Sequence, residues 1–151
     1  MKRTKVLLVK YFFLSLILAS YAQADEADEV HSVIEKMAVF IEQGDLEALG
    51  AIYAPGPGVH IIEGTGVNHG WEDYRDHHLQ PELQLFQNLT YRYFAIEPLV
   101  KGSLAYAGFQ YELTADTTSG KIASTGRGTA VLEKMDGKWR VVHMHTSGRR
   151  I

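Results

Sequence analysis

Lys138-Trp139-Arg140-Val141-Val142-His143-Met144-His145-Thr146-Ser147 is the most specific segment of this 151-residue chain. Asp136-Gly137 precedes it as a turn signal, and the residues that follow have the composition of a strand. Strict alternation puts Trp139, Val141, His143 and His145 on one face and Arg140, Val142, Met144 and Thr146 on the other. Each face mixes apolar with polar side chains. The strand is therefore expected to be covered on both sides, with polar groups facing a cavity or an interface.

Upstream, three more strands lead into it. Leu89 to Val100 is rich in Tyr, Phe and Ile and ends at the turn Lys101-Gly102. Ser103 to Ala115 follows, then the turn Thr118-Ser119-Gly120, then a long strand from Lys121 to Met135. Gly126 and Gly128 in that strand suggest a bend or bulge where the sheet curves.

Helices occupy the N-terminal half. Val30, Val33, Ile34, Met37, Phe40 and Ile41 recur at helical spacing, with Asp25, Glu26, Asp28 and Glu29 crowded at the helix start. Gly44 ends this helix, and Asp45 caps a second, short one with Leu46, Leu49, Ile52 and Tyr53 inward. Ala54-Pro55-Gly56-Pro57-Gly58 breaks the chain before a strand, Val59 to Glu63, and a glycine-rich loop, Gly64 to Gly70. A third helix runs from Trp71 to about Leu79 and stops near Pro81, with a further turn open as far as Phe86. Three helices followed by an antiparallel meander is an α+β layout. A long curved sheet packed on N-terminal helices makes a cone with a hollow between its layers.

Residues 1–24 stand apart. Lys2, Arg3, Lys5 and Lys10 precede an apolar run from Tyr11 to Ala19, which ends in small residues and Ala22-Gln23-Ala24. That is the pattern of a secretory signal peptide cleaved after Ala24, and the run is shorter than the roughly 20 residues of a membrane span. Residues 25–151 are then one domain, periplasmic or secreted, with no membrane contact after cleavage. Without residues 1–24, 11 basic residues remain against 18 acids, a net charge of −7. So acidic a chain lacks the excess Lys and Arg that nucleic acid would require. It has no cysteine, so its stability rests on its core or on self-association. Asn88-Leu89-Thr90 matches a glycosylation sequon, a tripeptide that also arises by chance.

Three pieces together carry a family resemblance: Gly44-Asp45 at the first helix end, Gly70-Trp71-x-x-Tyr74-Arg75, and Asp136-Gly-Lys-Trp-x-Val-Val-His-x-His-x-Ser147. Over residues 25–150 the chain resembles the nuclear-transport-factor-2-like superfamily. Within it, the chain is similar to the SnoaL-like branch related to the association (hub) domain of calcium/calmodulin-dependent kinase. The resemblance implies a cystatin-like α+β cone, a pocket between the helices and the concave sheet, and a homodimer formed through the sheet. It also implies that any acid–base activity needs no metal or organic cofactor. Thr146 stands where the hub domain carries an Arg, and Tyr74 where it carries a pocket His. The same cone hosts isomerases, dehydratases and oligomerisation hubs, so the fold by itself does not select the function.

Tyr74, His77 and His78 lie at i, i+3 and i+4 of a helix, where a Tyr–His pair offers a hydrogen-bond donor and a proton carrier near neutral pH. Tyr74 as electrophilic donor and His78 as base are the expected catalytic pair, with His77 beside them. Glu63 and Asn68 flank the glycine-rich loop, as the mouth of a pocket would. Arg127 and Tyr106 are expected to reach the ligand from the sheet. His143 and His145 are expected to be framework residues near the ligand. The alternative for them is a metal pair completed by Glu63, His60 or a helix histidine. The expected ligand is a small, partly apolar molecule, with no metal and no cofactor. The alternative is a non-catalytic oligomerisation or binding module.

Overall fold

The computed structural model describes residues 24–151. The expected signal peptide therefore lies almost wholly outside the described residues, and none of the described helices is long and apolar enough to cross a membrane. The first helix, α1, covers residues 24–43 and buries Val30, Ile34, Met37 and Ile41 of the stripe that the spacing predicts, with Val33 and Phe40 half-buried against the core. Gly44 ends it at φ +68°, a conformation that glycine adopts without strain. Asp45 then caps α2 (Leu46–Gly50) by accepting a hydrogen bond from the Ala48 N–H at 2.9 Å.

Six strands form one sheet: β1 (His60–Glu63), β2 (Gly66–His69), β3 (Gln87–Lys101), β4 (Leu104–Thr117), β5 (Gly120–Met135) and β6 (Lys138–Arg150). Their order is β2-β1-β6-β5-β4-β3. The four long strands form the expected antiparallel meander. The sheet is mixed, because β1 runs parallel to β6. β2 occupies part of the stretch expected to be a loop. Gly64, at φ +59°, allows a two-residue turn that pairs Glu63 with Gly66.

The terminal strand departs from strict alternation. Val131 pairs with His143 and Leu132 with Val141, so Val142 is the extra residue of a β-bulge. On the opposite edge, backbone hydrogen bonds of 2.9 Å link Val141 to Ile52 and Ala54, while β1 takes up the pairing from His143 onward. The bulge exchanges the two faces. Trp139, Val141, Met144 and Thr146 are all buried on the helix side, and His143 and His145 fall on the outer side.

Gly126 and Gly128 do not mark a bulge, since β4 and β5 pair without a register shift. A Cβ on Gly128 would run into the Phe109 ring, and one on Gly126 into the Tyr111 ring. The glycines let these aromatics lie across the neighbouring strand, filling the concave side.

The third helical segment continues past Pro81. It consists of α3 (Trp71–Tyr74), a π-helical turn (Arg75–Leu79) and α4 (Gln80–Leu85). In a regular helix a proline removes a hydrogen bond and its ring strikes the carbonyl four residues back. Here Pro81 sits in the first turn of α4, directly after a wider turn that relaxes that constraint.

Candidate functional site

A cavity of about 340 Å³ opens between the concave sheet, α1 and the third helical segment. Ile41, Leu79, Leu83, Leu89 and Leu113 supply apolar wall, and Glu63, Tyr74, Glu82 and Thr146 supply polar groups. The sequence reading does not place Arg149 and Arg150 in the site. They line the cavity because β6 runs on to Arg150, paired with Ser124.

Glu63 is the centre of the polar end. The Tyr74 hydroxyl donates to its Oε1 at 3.0 Å, and its Oε2 lies 2.9 Å from His78 Nε2. His78 Nε2 is also 3.6 Å from Glu82 Oε1, one helical step further on. The rings of Tyr74 and His78 have centroids 5.3 Å apart. β1 contributes Glu63, while Tyr74, His78 and Glu82 come from three consecutive turns of one helical segment. The expected pair is thus brought together with Glu63. His78 itself is not a wall of the cavity; it braces Glu63 from the β2 side.

The environment sets the protonation of these groups. The hydrogen bond to Glu63 raises the His78 pKa, against the pull of burial. Burial raises the Tyr74 pKa well above its ordinary value, and the nearby Glu63 charge adds to this, so its hydroxyl stays protonated. Lost hydration raises the Glu82 pKa; His78 opposes the shift and Glu63 reinforces it.

The other sequence candidates lie elsewhere. Asn68 donates to the Asp73 carboxylate at 3.3 Å, and that carboxylate also accepts the His69 N–H at 2.8 Å. His77 is largely exposed and pairs with Asp73 at 2.9 Å. Both serve the start of the third helical segment. Tyr106, Arg127, His143 and His145 sit on the outer face of the sheet, away from the cavity. Arg127 lines a separate depression of about 460 Å³ with Gln110 and Ser147. The bulge at Val142 is the reason for the histidines, since it turns them away from the side that holds Trp139.

His143 and His145 join two further histidines on the outer face. His143 pairs in register with His60, and His60 with His69, whose ring meets it edge-on at 4.9 Å. Burial lowers the His143 pKa, helped by His145 and His60. Glu82 is the residue of the inner cluster that the sequence reading missed. Its only signal was the i+4 spacing from His78, hidden by the expectation that the helix stops near Pro81.

Residues 30–149 match the SnoaL-like domain family. A search of the curated proteins finds no match. Among solved structures, a nuclear-transport-factor-2-like superfamily protein from Salmonella enterica serovar Typhimurium superposes with a TM-score of 0.72 at 24% identity, over 86% of this chain and 92% of that one. A candidate calcium/calmodulin-dependent protein kinase II association domain from Xanthomonas campestris gives 0.66 at 21%, over 80% and 86%. A candidate scytalone dehydratase from Novosphingobium aromaticivorans gives 0.75 at 13%, over 87% and 88%. At these identities the neighbours establish the cone fold alone, and the family match stands independently on the sequence. The chain belongs to the SnoaL-like domain family.

Proposed function

We propose that the protein binds a small, partly apolar molecule in the cone cavity and moves a proton on it, as an isomerase or dehydratase does without an organic cofactor. The observation that carries this reading is Glu63, a cavity wall held at one oxygen by Tyr74 and at the other by His78. A carboxylate fixed in this way is a general base, and a protonated tyrosine beside it can donate to an oxygen that gains charge. The base role thus passes from His78 to Glu63, with His78 holding the carboxylate in position. Two solved neighbours bear dehydratase names, which agrees with this chemistry. Residues 1–24 are read as an export signal, which makes the protein periplasmic or secreted.

Deuterium exchange provides the test. The protein is incubated in D₂O with a panel of small cyclic ketones and β-hydroxy carbonyl compounds, and exchange and water loss are followed by NMR. Accelerated exchange that falls about 10²–10⁴-fold in Glu63→Gln is expected. Exchange no faster than buffer across the panel, or unchanged in the variant, refutes the enzyme.

A second reading, a non-catalytic assembly module, has its own observation. Val67, Leu104, Tyr106 and Leu99 are 51, 51, 49 and 40% exposed, and all four lie on the outer face of the sheet. Leu99, Leu104 and Tyr106 adjoin one another on β3 and β4, with Val67 at the opposite edge on β2, and exposed apolar side chains on that face suit a homodimer formed through the sheet. Light scattering tests it, and a strict monomer at micromolar concentration removes it.

A further inference from the structure

We propose that Glu63, His78 and Glu82 bind one divalent first-row transition-metal ion beside the cavity, with zinc as the model ion. Each residue presents one ligand atom, and the three atoms lie within 4.8 Å of one another. Zinc holds imidazole nitrogen and carboxylate oxygen at about 2.0–2.2 Å, which sets neighbouring ligand atoms of a tetrahedron about 3.3–3.5 Å apart. His78 Nε2 is 2.9 Å from Glu63 Oε2 and 3.6 Å from Glu82 Oε1, so both edges that share the nitrogen are within a few tenths of that separation.

Two further observations point the same way. The Tyr74 hydroxyl occupies Glu63 Oε1 and leaves Oε2 turned toward His78, the arrangement by which an outer hydrogen bond orients a monodentate carboxylate ligand. In addition, His78 is the only cationic partner that either carboxylate has among the described residues. The two carboxylates share a single histidine at the polar end of a cavity that Arg149 and Arg150 also line, and a divalent ion would neutralise their charge locally. Glu63 and Glu82 are both walls of the cavity, so a molecule bound there would lie beside the ion.

The proposal rests on that reading of the site, and the ion on Oε2 would take the place of the contact that Glu63 makes to His78. A ligand with a carbonyl, hydroxyl or carboxylate oxygen would then be recognised at the ion.

The test uses the full chain, stripped with chelator and titrated with Zn²⁺ by calorimetry and with Co²⁺ by visible absorption. One equivalent is expected, with Co²⁺ giving the intense bands of a four- or five-coordinate site. Glu82→Gln, at the half-exposed rim and so tolerable to the fold, should weaken binding at least tenfold, as should His78→Gln. Tyr74→Phe should weaken it about tenfold through the orientation of Glu63. His60→Gln and His143→Gln on the outer face should leave it unchanged. Less than one equivalent overturns the proposal. So does full binding that survives Glu82→Gln and His78→Gln but is lost in His60→Gln or His143→Gln, which would move the ion to the outer histidines. The two readings of the site fail separately. Deuterium exchange in chelator without metal binding removes the ion alone, and metal binding without exchange removes the enzyme alone.

Discussion

The Tyr74 hydroxyl and the Glu63 carboxylate meet at 3.0 Å, and this contact joins the buried face of the third helical segment to the end of β1. Tyr74 is 1% exposed, so its hydroxyl is committed to that partner. Tyr74→Phe keeps the ring packing and removes only the hydrogen bond. Hydrogen bonds to charged groups contribute about 1.5–3 kcal/mol, and partial exposure of Glu63 places the expected loss near the lower end, at about 1–2 kcal/mol. Urea denaturation measures it, and a loss below about 0.5 kcal/mol contradicts the assignment.

The bulge at Val142 makes opposite predictions for neighbouring side chains. Met144 is fully buried, and Met144→Ala should cost about 2–5 kcal/mol. His145 is exposed on the other face, and His145→Ala should stay within about 0.5 kcal/mol. Strict alternation would instead group His145 with the core residues Trp139 and Val141. Equal costs for the two variants, or a larger cost at His145, would show that the strand keeps its alternation.

Glu26 on α1 predicts part of the acid limb of stability. Its pKa is lowered chiefly by its hydrogen bond to Lys134, with Trp139 also donating to the carboxylate at 2.9 Å. A carboxylate whose folded pKa lies below its unfolded value stabilises above the unfolded value, and the contribution disappears as pH falls through the folded one. Stability measured from pH 7 down to pH 3 should therefore decline less steeply at its acid end in Glu26→Gln than in the wild type. Parallel curves would remove Glu26 from the acid limb.

His143 acts at higher pH, and its sign is the reverse of a histidine that gains a carboxylate partner. Burial lowers its pKa, so around pH 6 the unfolded chain binds more protons there than the folded one. The group costs nothing above the ordinary histidine value of about 6.5 and destabilises increasingly as pH falls below it. In an NMR titration the His143 ring should show a midpoint below about 6.5, and His143→Gln should flatten stability between pH 5 and pH 7. A midpoint at or above the ordinary value would show that its neighbours do not crowd it.

The architecture was largely legible from local pattern. Val30, Ile34, Met37 and Ile41 repeat at helical spacing and do form the buried stripe of α1. Lys101-Gly102, Thr118-Ser119-Gly120 and Asp136-Gly137 do separate the four long strands. The site was legible in part. Tyr74, His78 and Glu63 were named from the sequence and converge, whereas Tyr106, Arg127, His143 and His145 lie across the sheet from them. Glu82 was missed because the π-helical turn that carries the helix past Pro81 has no sequence period of its own.

By itself the sequence determined the α+β order of elements, the turn positions and the family, because these depend on which residues are neighbours along the chain. Only the tertiary structure decided which face of β6 looks inward. Val142 drops out of alternation because two different segments, residues 52–54 and β1, pair with the same edge of that strand on either side of it. Register is a relation between strands, and one strand's pattern cannot encode its partner's position. The same holds for the polar cluster. Glu63 meets Tyr74, His78 and Glu82 only after β1 docks beside β6 and the third helical segment lies over its end.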